Sequence, residues 1–196
     1  MHFIQKITTI LFKSSNFFSQ IEKEHDIKQS FIYYLTLELF YTVLVTMVLF
    51  YFPRAYTIFF PLFPDIGGGG LVKTMAIGFI FAIPTSFAVA GVLYIWLRLF
   101  KGKRPYYDAY KLYAYSKTPS FIFGWIPLVN FIVWIYSLVL LIIGTQKMYK
   151  FTSLKSTLMY IIPLIVILIV LVIFGFLATL AAILSGTTTA ETFWIY

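Results

Sequence analysis

The chain has 196 residues, 61% of them hydrophobic and 11% charged, with no cysteine and a mean hydropathy of +0.90. Soluble domains average about 45–50% apolar and about 25% charged residues, so this composition excludes a soluble globular domain, a disordered chain, a disulfide scaffold and a Cys-ligated metal protein. An all-α, polytopic helical membrane protein remains. The net charge of +8, from 15 Lys and Arg against 7 Asp and Glu, reads first as a signal of membrane orientation.

Residues 1–30 form an amphipathic cytosolic segment. The apolar stretch is broken by Gln5 and Lys6, and no small-residue cleavage site follows, so it is not a signal peptide. Phe3, Ile7, Ile10 and Leu11 recur at helical spacing, as do Phe17, Phe18 and Ile21 after a cap at Ser14 or Ser15. One or two helices lying on the membrane surface, or packed against the end of the bundle, fit this pattern equally.

A first span is expected over about 31–52, since a bilayer core of about 30 Å needs roughly 20 apolar residues. It holds one charge, Glu38, on the same face as Tyr34, Tyr41 and Thr42. A carboxylate inside a span is a candidate proton or cation site; the alternative is an interfacial Glu bonded to Tyr or paired with a Lys. Pro53 to Gly70 reads as a loop whose Phe59, Phe60, Leu62 and Phe63 dip into the outer interface. Its run Gly67 to Gly70 lacks the Lys-Ser/Thr of a phosphate loop and reads as a flexible hinge.

The second span, about 73–98, carries small residues four apart at Gly78, Ala82, Ser86 and Ala90, a smooth stripe for close helix packing, with Pro84 expected to kink it. The segment 107–124 is the contested one, because it contains Asp108, Lys111 and Lys117. Basic residues cluster at Lys6, Lys13, Lys23 and Lys28, at Arg98, Lys101, Lys103 and Arg104, and at Lys147, Lys150 and Lys155. All three clusters share one side only if 107–124 crosses, so the positive-inside rule favours five spans over a re-entrant helix, with the N-terminus cytosolic and the C-terminus outside. Spans at about 126–146 and 157–184 complete the transmembrane domain, 31–186, followed by an external tail, 187–196. The last apolar run, Leu158 to Leu184, is about 40 Å of helix and must tilt or bend, with Pro163 and Gly175 as candidate bends. Gly175, Thr179, Ala182 and Gly186 make a second packing stripe.

The polar third helix is the most unusual element. Tyr106, Tyr110, Tyr113 and Lys117 share a face, with Asp108 and Lys111 three apart beside them, and Pro105 and Asp108 suit a helix start. Glu38, Asp108, Tyr110, Lys111, Tyr113 and Lys117 are therefore the candidate polar intramembrane site, either lining a water-filled cavity or binding lipid phosphate. The competing reading is an interfacial tyrosine belt with snorkelling lysines. No enzyme is expected. His2 and His25 have no ligand spacing, and there is no G-x-S-x-G, paired intramembrane Asp or Ser/His dyad. No cofactor or metal site is expected, and nucleic-acid binding lacks a soluble basic domain.

Tyr113, Tyr115, Ser116 and Pro119 give Tyr-x-Tyr-Ser-x-x-Pro, followed by Trp125, Pro127, Trp134, Gly144, a basic turn and Pro163, with Phe17-Phe18 and Ile27 to Phe31 upstream. This order over roughly residues 14 to 180 resembles the Yip family, the Ypt/Rab GTPase-interacting membrane proteins, and especially its short prokaryotic members. The resemblance implies five spans and a cytosolic N-terminus, with a plasma-membrane location if the chain is prokaryotic. In eukaryotic relatives it implies binding to one another and to Rab GTPases in vesicle traffic and membrane shaping. The chain lacks their long cytosolic N-terminal domain, so the resemblance does not extend to Rab binding. The expected role is a non-enzymatic organiser of membrane or partner proteins, as a homo- or hetero-oligomer facing anionic lipids of the cytosolic leaflet. A small channel or transporter for a proton, cation or small solute, using Glu38 and the third helix, is the alternative.

Overall fold

The computed structural model describes residues 3–22, 26–52 and 68–184. Every regular element among them is helical: α1 (Phe3–Phe12), α2 (Ser14–Ile21), α3 (Ile27–Tyr51), α4 (Gly68–Leu99), α5 (Tyr106–Ser116), α6 (Thr118–Phe123), α7 (Pro127–Tyr149) and α8 (Ser153–Leu184). The chain divides into two compact units, Met1–Thr152 and Ser153–Tyr196. Four described helices are long and apolar enough to cross a membrane: Ile27–Tyr51, Gly70–Leu99, Leu128–Tyr149 and Ser153–Leu184.

Gly68, Gly69 and Gly70 belong to α4, which corrects the expected hinge; Gly67 and the loop 53–66 lie outside the described residues. A glycine costs a helix about 1 kcal/mol relative to alanine. An unpaired backbone group in an apolar medium costs several, so helical hydrogen bonding prevails. Both α4 and α8 also run through their internal prolines, Pro84 and Pro163.

In the first unit, α5 is the hub, packed against α3, α4 and α7. Eight of its eleven residues are buried, including Asp108 and Lys111, so the most polar helix is the core. Segment 107–124 is not one helix but two, α5 and α6, meeting at Lys117. Hydrogen bonding persists across the joint: the Lys117 N–H donates to the Tyr113 carbonyl at 3.2 Å, and the Phe121 N–H to the Lys117 carbonyl at 3.1 Å. Pro119 has no N–H for the Tyr115 carbonyl. The Thr118 hydroxyl donates to that carbonyl instead, at 2.7 Å, and lies 3.0 Å from the Tyr33 hydroxyl. The Tyr-x-Tyr-Ser-x-x-Pro stretch is thus a helix joint with its freed carbonyl satisfied.

The N-terminal helices pack into the unit rather than lying free on a surface. Ile10, Phe17, Phe18 and Ile21 are at most 2% exposed. Helix α1 packs on α2 and α6, and α2 on α7. The Phe17 ring meets Tyr115 edge-on at 5.0 Å, and the Tyr136 hydroxyl donates to the Leu11 carbonyl. Gly144 leaves the space for this docking: a Cβ there would collide with Leu112 Cδ1 and come within 2.9 Å of the Phe18 ring.

Candidate functional site

Five of the six candidate residues separate into two groups, one at each end of α5. At its N-terminal end, Pro105 is the N-cap and Asp108 lies in the first turn, where the helix dipole favours an anion. Lys111, one turn on, places Nζ 2.8 Å from Asp108 Oδ1 and donates to the Ile21 carbonyl at 3.0 Å, with the Tyr107 ring centroid 5.3 Å away. Both partners are buried, so each removes the other's uncompensated charge.

Asp108 Oδ2 is also 3.6 Å from Arg104, whose other terminal nitrogen pairs with Glu22 at the end of α2. Lys150, at the C-cap of α7, stands 3.5 Å from the same Glu22 carboxylate. The Lys111–Asp108–Arg104–Glu22–Lys150 chain thus ties α2, the α4–α5 turn, α5 and α7 together. Burial opposes ionisation of Glu22, but the Arg104 hydrogen bond and the charges of Arg104 and Lys150 overcome it and hold the carboxyl below its ordinary 4.5. A carboxyl depressed in the folded state contributes stability above its unfolded value and loses it as pH falls through the folded one. Amide exchange at the end of α2, taken relative to the intrinsic rate at each pH, is therefore expected to stay constant between about pH 6 and pH 8 and to quicken only below about pH 4.5. Glu22→Gln should quicken it at neutral pH.

At the other end of α5, Tyr113 and Lys117 face α3. Tyr34 shares hydrogen bonds with Glu38 and Tyr113, and Lys117 interacts electrostatically with Glu38. The Tyr34 and Tyr113 rings are 5.9 Å apart. Glu38 is therefore bonded to Tyr34, with the Lys117 charge acting on it without a direct ion pair. It does not meet Asp108, whose partners are Arg104 and Lys111. Tyr110 belongs to neither group: it stacks on Phe87 at 4.8 Å, with its hydroxyl 3.3 Å from Ser86.

The stripe on α4 is used in part. Ser86 and Ala90 are fully buried, whereas a Cβ at Gly78 would meet nothing within 4 Å, and Ala82 is half-buried between them. On α8 a Cβ at Gly175 would also meet nothing within 4 Å, and the Thr179 hydroxyl bonds back to the Gly175 carbonyl. Among the described residues there is no group of three His, Cys, Asp or Glu able to hold a metal. Sequence reasoning missed Glu22, and it counted Arg104 and Lys150 only as orientation signals. The available cue was the Arg104, Asp108, Lys111 spacing of four and three, which stacks all three on one helix side.

Comparison with known proteins agrees with the helical membrane architecture. No curated protein and no solved structure matches the chain. A family model for the Yip1 domain matches residues 8–175, running from α1 into α8 and covering most of the chain. The protein is an integral, multi-pass membrane protein and belongs to the Yip1 domain family.

Proposed function

We propose that the protein is a non-enzymatic organiser of membrane lipid and partner membrane proteins, with its N-terminal helix pair as the association surface. The two-sided use of α1 carries this reading. One side is sealed into the domain through Ile10, while the other presents Ile4 and Phe12, 74% and 83% exposed. Exposed apolar side chains at the end of a membrane domain favour contact with lipid or another protein. Helix α5 supports the non-enzymatic side, since its buried Asp108 and Lys111 form an ion pair with each other. The partners proposed are anionic lipids of the cytosolic leaflet and other membrane proteins, further copies of this chain included.

Five spans are part of the proposal. Arg104 follows α4, Lys150 ends α7, and both contact Glu22, which supports placing these two helix ends on one face of the membrane. If α7 crosses, its start lies on the opposite face, and residues 106–123 must carry the chain over. Their 18 residues of near-continuous helix span about 27 Å, close to the hydrocarbon thickness. The basic residues at these ends support a cytosolic position for that face, with the C-terminus outside.

Ile4→Ser combined with Phe12→Ser is expected to weaken both pull-down of membrane partners and recruitment of anionic liposomes, without loss of thermal stability, because both positions are exposed. Unchanged association in the double variant would remove the role. The second reading, a small channel or transporter, draws on the half-buried Glu38 and Lys117 and their electrostatic interaction, since charges inside a span are costly to keep. It requires proteoliposome flux that Glu38→Gln abolishes.

A further inference from the structure

Glu22 reaches two cations from two different span ends. Arg104 follows α4, which closes at Leu99, and Lys150 caps α7, which closes at Tyr149. Both charges follow the ends of helices long and apolar enough to cross a membrane, which supports a position near the lipid headgroups. A carboxylate held between a guanidinium and an ammonium occupies the place of a phosphate oxygen, which the same two groups bind well. The cluster opens outward: the side chain of Lys150 is 75% exposed, against 25% for Arg104 and 21% for Glu22. Lys101, Lys103 and Lys147 are exposed along the same two helix ends. The two ends touch, since a Cβ on Gly102 would come within 3.0 Å of the Tyr149 ring.

The backbone adds an independent observation. Lys101 and Lys150 are the non-glycine residues with positive φ among the described residues, at 66° and 55°. Helix α4 ends in a Schellman arrangement, with the Lys101 N–H bonded to the Arg98 carbonyl and the Gly102 N–H to the Leu97 carbonyl, both at 2.9 Å. Glycine is the least strained residue at such a left-handed position. In both places the chain keeps a cation instead, one of them Glu22's partner Lys150, and backbone strain of this kind gathers at functional sites.

We propose that Arg104 and Lys150 form a binding site for the phosphate of an anionic lipid headgroup, in which Glu22 is a resident competitor that the phosphate displaces. Phe17 and Phe18 remain seated, so displacement frees the end of α2 and not its buried face. The site rests on the proposed lipid association and names its chemistry.

The test uses the full chain in phosphatidylcholine nanodiscs containing a minor fraction of spin-labelled phosphatidylserine. The wild type should enrich phosphatidylserine over phosphatidylcholine. Glu22→Gln should raise the enrichment about twofold to fivefold by removing the competitor. Arg104→Gln should abolish it, and Lys73→Gln, at an exposed lysine near the start of α4, should leave it unchanged. A purely structural role for Glu22 predicts no gain, so enrichment that is equal or lower in Glu22→Gln overturns the proposal. Competition by millimolar inorganic phosphate identifies a site that also takes the free ion; no competition assigns it to the lipid alone. Enrichment lost in Arg104→Gln while Ile4→Ser/Phe12→Ser leaves partner association intact would keep this site and remove the organising role. The reverse pattern would do the opposite.

Discussion

Phe18→Ala is expected to destabilise the protein by about 3–5 kcal/mol, a large effect for a residue outside the apolar spans. Phe18 is fully buried, and its ring fills the notch that Gly144 leaves on α7. Gly144→Leu attacks the same seam from the other side, because the new side chain must displace Phe18 and Leu112, both at 0% exposure. Overpacking of this kind costs about 1–3 kcal/mol. The two changes should be strongly non-additive, since the leucine at 144 can fill part of the space vacated by the ring. Thermal unfolding in detergent, followed by limited proteolysis between α2 and α3, measures all three variants. Additive losses would show that α2 does not seat against Gly144.

Asp108→Asn carries the second large effect. It leaves the Lys111 ammonium, at 0% exposure, with the Ile21 carbonyl but without its counter-ion. Removing one member of a buried pair costs about 3–5 kcal/mol, whereas replacing both with apolar residues of similar volume is often close to neutral. Asp108→Leu combined with Lys111→Met should therefore recover most of the stability that Asp108→Asn loses. It should also loosen α2, because the bond from Lys111 to Ile21 is gone. Amide exchange at α2 separates the two effects: recovered melting with fast exchange at Ile21 is the expected pattern. A double variant no more stable than Asp108→Asn would mean that the pair is not what Asp108 supports.

The helices that meet lipid were legible in the sequence because the bilayer imposes a length on them, and the runs from Phe31 and Pro127 satisfy it without reference to any partner. The amphipathic spacing of Phe17, Phe18 and Ile21 likewise predicted a helix with one apolar face. What covers that face was not legible, because Gly144 lies far along the chain and a glycine in a span has many uses. Glu22 and Arg104 are 82 residues apart, and nothing in the local pattern of either points to the other. The polar helix was recognised as unusual, but its six candidate residues were not resolved into separate groups. Facing direction along α5 depends on its neighbours: α3 faces Tyr113 and Lys117, whereas the end of α2 meets Lys111. At Gly68 to Gly70 local propensity pointed to a hinge, and the demand for backbone hydrogen bonds in a membrane helix overrode it.

The proposed five-span arrangement, with Arg104 and Lys150 on the cytosolic face, underlies both the proposed role and the lipid site. The native chain has no cysteine, so single substitutions report accessibility without background. Lys101→Cys, Ile126→Cys and Lys147→Cys, each in intact cells, should be treated with a membrane-impermeant maleimide before and after permeabilisation. Labelling of Ile126→Cys in intact cells, with Lys101→Cys and Lys147→Cys labelled only after permeabilisation, is the predicted result. Labelling of all three from the same side would contradict it, since residues 106–123 would then fail to cross.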